Sequence, residues 1–316
     1  MNTNSKGLPV VLSGERLIVE DEKAGRINLF ADGPARVTKA GAENRRPVLL
    51  VHSINASASA HEVKPIFDAL KGERPTYALD LPGFGLSERS DRDYVQPLMV
   101  EGILAAARTI SKRHGGSSVD ALAVSLSCEF MAKAALEAPD LIRSLALVSP
   151  TGFARNASRK GRAEDDCGRP GVLRFLKRPK IGKILFRLLS SAPSIRFFLR
   201  KTWGGKEIDE DMFETSCAMA KHPNAHRAPF YFLSGYLFSA NIGPAYEALQ
   251  QPVWMSHGTR GDFTDYSCTG PIEGHSNWQI SVFEAGALPY FEIGQHFIAQ
   301  YRAFLATQAA ETPQAA

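Results

Sequence analysis

Hydrophobic and polar positions along the chain follow two different periods. Two short alternating stretches, ERLIVE and RINLFAD, flank the polar segment DEKAG and predict an antiparallel hairpin. From residue 46 the alternation gives way to continuous apolar runs, RRPVLLVHS, PTYALDLPGFG, SVDALAVS and IRSLALVSP. Runs of that kind suit strands covered on both faces, as in a parallel sheet. Between them stand segments with helical spacing: HEVKPIFDALKG, QPLMVEGILAAARTISKRHG with its glycine stop, and LSCEFMAKAALEAP, ended by Pro139. Strand and helix in turn from 47 to 150 predict a doubly wound parallel sheet. The pattern breaks at 151. Residues 151–245 carry amphipathic stretches such as IGKILFRLLSS and SIRFFLRKTWGG, without strand alternation. It resumes at QPVWMSHG and WQISVFEAG and closes with the helix FEIGQHFIAQYRAFLATQ. The organisation predicted is one α/β core, residues 1–150 and 246–316, with a helical insertion over 151–245 after the sixth strand.

Composition narrows the class. A chain of 316 residues, 44% hydrophobic and 22% charged, buries about three quarters of its unfolded surface and needs no metal or disulfide to stay folded. Cys128, Cys167, Cys217 and Cys268 form no Cys-x-x-Cys pair and no zinc spacing with histidine, so neither metal nor cofactor is expected. The first residues lack an apolar signal core, and no stretch approaches the ~18 apolar residues of a membrane span. A soluble, cytoplasmic protein is the expectation.

Charge is unevenly spread. Residues 151–206 hold 15 Lys/Arg against 3 Asp/Glu, a net +12, while the remainder of the chain is net −8. Such asymmetry marks an inserted module rather than a nucleic-acid binder, and no nucleic-acid recognition motif accompanies it. Between Gly171 and Lys206 there are ten Lys/Arg and no Asp/Glu, interleaved with Leu176, Ile181, Ile184, Leu185, Phe186, Leu188 and Leu189. The favoured reading is a lid helix with its apolar residues on the sheet and its cations in solvent. The other is affinity for an anionic ligand or membrane surface. The aromatic residues Phe230, Tyr231, Phe232, Tyr236 and Phe238 suit either the lining of a cleft between insertion and sheet or ordinary core packing.

The candidate chemistry lies at Ala123-Val124-Ser125-Leu126-Ser127, where a strand runs into a helix. A nucleophile elbow needs that location and small residues two before and two after the serine. Ala123 and Ser127 are small, although each carries a Cβ where glycine is usual. The alternative is a serine that simply caps a helix.

At these residues the chain resembles the α/β-hydrolase family. PVLLVHSINASAS looks like the family's oxyanion strand and loop, with His52-Ser53 where His-Gly is usual. LDLPGFGLSERS matches its Asp-x-Pro-Gly-x-Gly-x-Ser turn at Asp80, Pro82, Gly83, Gly85 and Ser87, a structural string. PVWMSHGTRGDFTDY resembles the strand and loop that carry the triad acid. The resemblance implies an α/β-hydrolase fold, a mostly parallel eight-stranded sheet flanked by helices with an inserted helical cap. It implies Ser125 as nucleophile, Asp262 as acid with Asp265 the weaker candidate, and the amides of Ile54 and Leu126 as the oxyanion hole.

One departure is chemical. The family's histidine follows the last strand, and here that position is Ala287, in Ala285-Gly286-Ala287-Leu288-Pro289-Tyr290. Without a base a serine hydroxyl is a weak nucleophile. Tyr290 stands one helical turn on but is a poor base at neutral pH, and His275 and His296 are possible substitutes at a distance. His52, His257, His222 and His226 read as structural or solvated. Two functions follow: a serine hydrolase acting on an ester or thioester with an apolar portion, weak or atypical, or a catalytically impaired member of the fold that binds a small ligand or partner. Ser125 at the elbow argues against an aspartate-nucleophile hydrolase.

Overall fold

The structure, a computed structural model, describes residues 11–33, 46–155, 157 and 160–310. β1 (Glu15–Asp21) and β2 (Gly25–Asp32) form the expected hairpin, turned at Asp21, whose carboxylate accepts the amides of Lys23 and Ala24. β3 (Val48–Val51), β4 (Thr76–Asp80), β5 (Val119–Val124) and β6 (Ile142–Val148) follow, each buried or nearly so along its length. α1 (Lys64–Leu70), α2 (Gln96–Arg113) and α3 (Ser127–Glu137) connect them.

Among the described residues six helices follow β6, α4 (Pro170–Leu176), α5 (Pro179–Leu189), α6 (Ala192–Trp203), α7 (Glu210–Ala220), α8 (Arg227–Leu233) and α9 (Gly243–Glu247). β7 (Val253–Gly258), β8 (Trp278–Phe283), α10 (Pro289–Glu292) and α11 (Gly294–Ala310) complete the chain. The eight strands lie in the order β1-β2-β4-β3-β5-β6-β7-β8, antiparallel only at β1, β2 and β4. This is the doubly wound, mostly parallel sheet that the continuous apolar runs predict.

Period-2 alternation divides the core. Leu49, Val51, Ala121 and Ala123 point to one face with α2 and α3, and Val48, Leu50, Leu122 and Val124 to the other with α1 and α11. The helices after β6 reach both clusters: Ala228, Tyr231 and Tyr246 join the first, while Ile195, Leu199 and Trp203 join the second. Phe230 and Phe186 form a small separate cluster, and Phe232, Tyr236 and Phe238 pack on the first. Core packing therefore accounts for most of that aromatic run.

Register sets the site. Val51 lies opposite Ala123, and Ala123 opposite Leu147, so the carboxyl ends of β3, β5 and β6 stand side by side. At such ends open α/β sheets bind their ligands.

Candidate active site

The sharp turn after β5 is real and strained. Ser125 has φ +55°, in the left-handed region that a residue with a Cβ rarely adopts. Its amide donates to the Val148 carbonyl at 2.8 Å, which holds the corner against β6. Ser125 is half-buried, and among the described residues nothing hydrogen-bonds to its hydroxyl. α3 begins at once, with Leu126 as its N-cap residue. The amides of Leu126 and of Ile54, in the loop after β3, donate to no protein acceptor among the described residues. Both are free to face an incoming oxygen.

Ser127 explains why a residue other than glycine fits the elbow. Its hydroxyl donates to the His52 carbonyl at 2.6 Å, tying the start of α3 to the end of β3. Both ends of that bond are buried. Ser127→Gly, which restores the family's usual residue, is expected to lower stability by about 1–2 kcal/mol in urea unfolding, from the lost hydrogen bond and the added backbone freedom.

His52 is structural. The Leu81 amide donates to its Nε2 at 3.1 Å, so the proton resides on Nδ1 and is donated to the Ser53 carbonyl. Burial lowers its pKa, and the ring stays neutral. Asp80 anchors the corner beneath: its carboxylate accepts the amides of Ala60 at 2.7 Å and Leu86 at 2.9 Å. A Cβ on Gly85, at φ +50°, would lie 1.9 Å from Asp80 Oδ1, so only glycine fits that turn.

The position expected for a histidine is close to the elbow. Ser149, at φ +48°, follows Val148, the residue that accepts the Ser125 amide, and its hydroxyl donates to the Ala287 carbonyl at 2.7 Å. The Ala287 amide donates to the Thr202 carbonyl at 2.9 Å, so α6 ends directly over this loop. A Cβ on Gly286 would lie 2.6 Å from Trp203 Cα.

Asp262 lies at the same end of α6 and is already paired. It is exposed, its carboxylate lies 2.6 Å from Lys201 Nζ on α6, and its amide donates to the Lys201 carbonyl. No histidine contacts it among the described residues. Asp265 accepts from Arg155, and Ser267 holds its carboxyl below the ordinary range. His275 is exposed in the loop before β8. His296 is exposed on α11, beside Gln300. His257 stacks on Tyr266 with ring centroids 3.9 Å apart. His226 packs on Phe186 and Phe230. Burial pushes the Tyr290 phenol well above its ordinary value, which removes it as a base at neutral pH.

Two buried carboxyls escape the sequence reading. Glu62 accepts the Ser53 amide at 2.5 Å and the Ser53 hydroxyl at 2.7 Å, and burial pushes its pKa up to about 7. The signal was Ser53 itself, a hydroxyl in a loop that is usually glycine and therefore in need of a partner. Glu129, on α3, accepts the Thr151 hydroxyl and the Ser239 amide, so the start of the segment after β6 and the loop before α9 are both fastened to the helix behind Ser125.

A family model described as alpha/beta hydrolase fold matches residues 46–206, just over half of the chain, and the chain belongs to that family. Similar solved structures share the fold over nearly their whole length. The meta-cleavage product hydrolase of Pseudomonas fluorescens is 15% identical with a TM-score of 0.68, covering 95% of this chain and 99% of its own. Carboxylesterase CesB of Bacillus subtilis is 15% identical with a TM-score of 0.66, covering 93% and 92%. A bromoperoxidase of Bacillus anthracis is 13% identical with a TM-score of 0.67, covering 92% and 100%. No curated protein matches the sequence. The fold hosts more than one chemistry, so the reaction has to be argued from the site.

Proposed function

We propose that the protein is a serine hydrolase acting on a small ester or thioester with an apolar portion, and that it turns over slowly. The observation that carries this reading is Ser125, held at φ +55° on the strand-to-helix corner with its hydroxyl unengaged. A strained backbone persists where surrounding structure enforces it, and such positions cluster at active sites. In the proposed reaction Ser125 Oγ attacks the carbonyl carbon, and the amides of Ile54 and Leu126 stabilise the oxyanion. The leaving alcohol or thiol departs with a proton, and water then hydrolyses the acyl-enzyme. The helices after β6 serve as a cap over the elbow. With alanine at position 287, water is the acceptor for the serine proton, and slow acylation follows. Removing one triad member still leaves a residual ~10³ to 10⁴ over the uncatalysed reaction, from the oxyanion hole and binding.

The neighbours called hydrolase and carboxylesterase support this reaction class by their fold. A fluorophosphonate probe tests it: slow labelling of Ser125, absent in Ser125→Ala, is the expected result. Intact-protein mass spectra showing no adduct after prolonged incubation at neutral pH would overturn it.

A second reading is a ligand-binding member of the fold that does not catalyse. Two observations favour it: Ala287 has no side chain to move a proton, and Asp262 is paired with Lys201.

A further inference from the structure

We infer that the outer face of the insertion, centred on α5, docks on the surface of an anionic phospholipid bilayer. α5 is amphipathic in the opposite sense to a simple lid. Phe186 is turned inward, 6% exposed, and Leu185 packs beside it on the small cluster with Leu176 and Phe230. Ile181, Ile184 and Leu188, spaced three and four apart on one helical face, are 40%, 59% and 64% exposed. Flanking helices add Phe175 on α4 and Phe197 and Phe198 on α6, each about half exposed. Soluble proteins seldom present that many large apolar side chains together without an occupant.

Charge identifies the occupant. Lys180, Lys183 and Arg187 each adjoin one of the three outward apolar residues in sequence, and none has a carboxylate within 4.0 Å among the described residues. No Asp or Glu occurs from Gly171 to Lys206. A protein partner with a matching apolar groove would gain from the apolar ridge alone. The cationic border is matched by a plane of lipid phosphates, into whose headgroup region an amphipathic helix of this kind settles by about 5–10 Å. Long cationic stems can lie along the apolar surface and hold their heads at that level. Contact is peripheral: no helix of the described residues is long and apolar enough to cross a membrane.

Cosedimentation of the full chain with vesicles tests the inference. Vesicles of phosphatidylcholine alone are compared with vesicles carrying about a third phosphatidylglycerol, enough to set up a negative surface potential. Binding to the anionic vesicles is expected to be at least tenfold tighter. It is expected to be lost near 1 M salt, where the screening length falls to about 3 Å. Ile184→Asp with Leu188→Asp, and separately Lys180→Glu with Lys183→Glu, should each weaken it roughly tenfold or more with unchanged circular dichroism. All four positions are exposed, so the fold tolerates the changes. Equal binding to both vesicle types, or full binding by either double variant, would overturn the inference. So would a concentration-dependent dimer in solution that the same variants abolish, since the face would then be covered by a second copy. Ser125→Ala should bind like the unaltered chain, so the docking result stands or falls separately from the hydrolase reading.

Discussion

Ala287→His is expected to raise hydrolysis of a p-nitrophenyl ester by about ten- to a hundredfold, the lower part of what a positioned general base supplies. The reason is proximity. The Ala287 carbonyl is bonded to the hydroxyl of Ser149, and Ser149 follows the residue whose carbonyl holds the Ser125 amide. A side chain introduced there starts one strand away from the serine. Two features hold the gain below the upper range. Ala287 is 5% exposed beneath the end of α6, so an imidazole must displace Thr202 and Trp203 and is expected to reduce stability by about 1–3 kcal/mol through overpacking. The imidazole also lacks an orienting acid, because Asp262 is held by Lys201. Adding Lys201→Ala frees that carboxylate, and the double variant should exceed Ala287→His alone. If the rate for neither variant rises, the missing base is not what limits the chain, and the ligand-binding reading gains.

The second large effect is on stability against pH. Burial raises the Glu62 carboxyl from about 4.5 to about 7. The native state therefore keeps a proton that the unfolded chain releases between those values. Unfolding free energy falls with rising pH wherever the native state binds more protons. The contribution of Glu62 is thus fully present below about pH 4.5 and is lost as pH rises through about 7. At ~1.4 kcal/mol per unit, the swing is on the order of 3 kcal/mol. Glu62→Gln keeps an acceptor for the Ser53 amide and a donor for its hydroxyl, and it cannot ionise. The two proteins should be about equally stable at pH 4.5, and the variant the more stable by roughly 3 kcal/mol at pH 8. Buried neutral histidines such as His52 give the opposite slope and are common to both proteins, so the difference isolates Glu62. Urea unfolding across that range measures it, and parallel curves would show that Glu62 is ionised in the native state throughout.

The site was legible to different depths. The hairpin, the parallel strands and the Ser125 corner could be read because each depends on neighbours in sequence: two-residue alternation, continuous apolar runs, and small residues flanking a strand-to-helix turn. The Asp80 corner was legible for the same reason, since Asp80 accepts from Leu86 and Ser87 within one short loop. The excess of positive charge over residues 151–206 was visible in composition. Which way its helices face was not. Ile184 and Leu188 have the apolar character of lid residues that face a sheet, yet they point to solvent, because Phe186 on the opposite side takes the place against Leu176 and Phe230, with Leu185 beside it. A helix that is apolar on two sides gives no local sign of which side will be covered.

By itself, then, the order of residues determined the class of sheet, the serine corner and the absence of histidine at position 287. These follow from local backbone preference, from side-chain period and from chemical identity. Tertiary structure alone decided the rest. It turned Asp262 toward Lys201, closed α6 over Ala287, and buried Glu62 against Ser53. The first two outcomes join segments far apart along the chain, and the third depends on what covers a local contact; which charges meet, or lose water, is settled only when helices and loops pack.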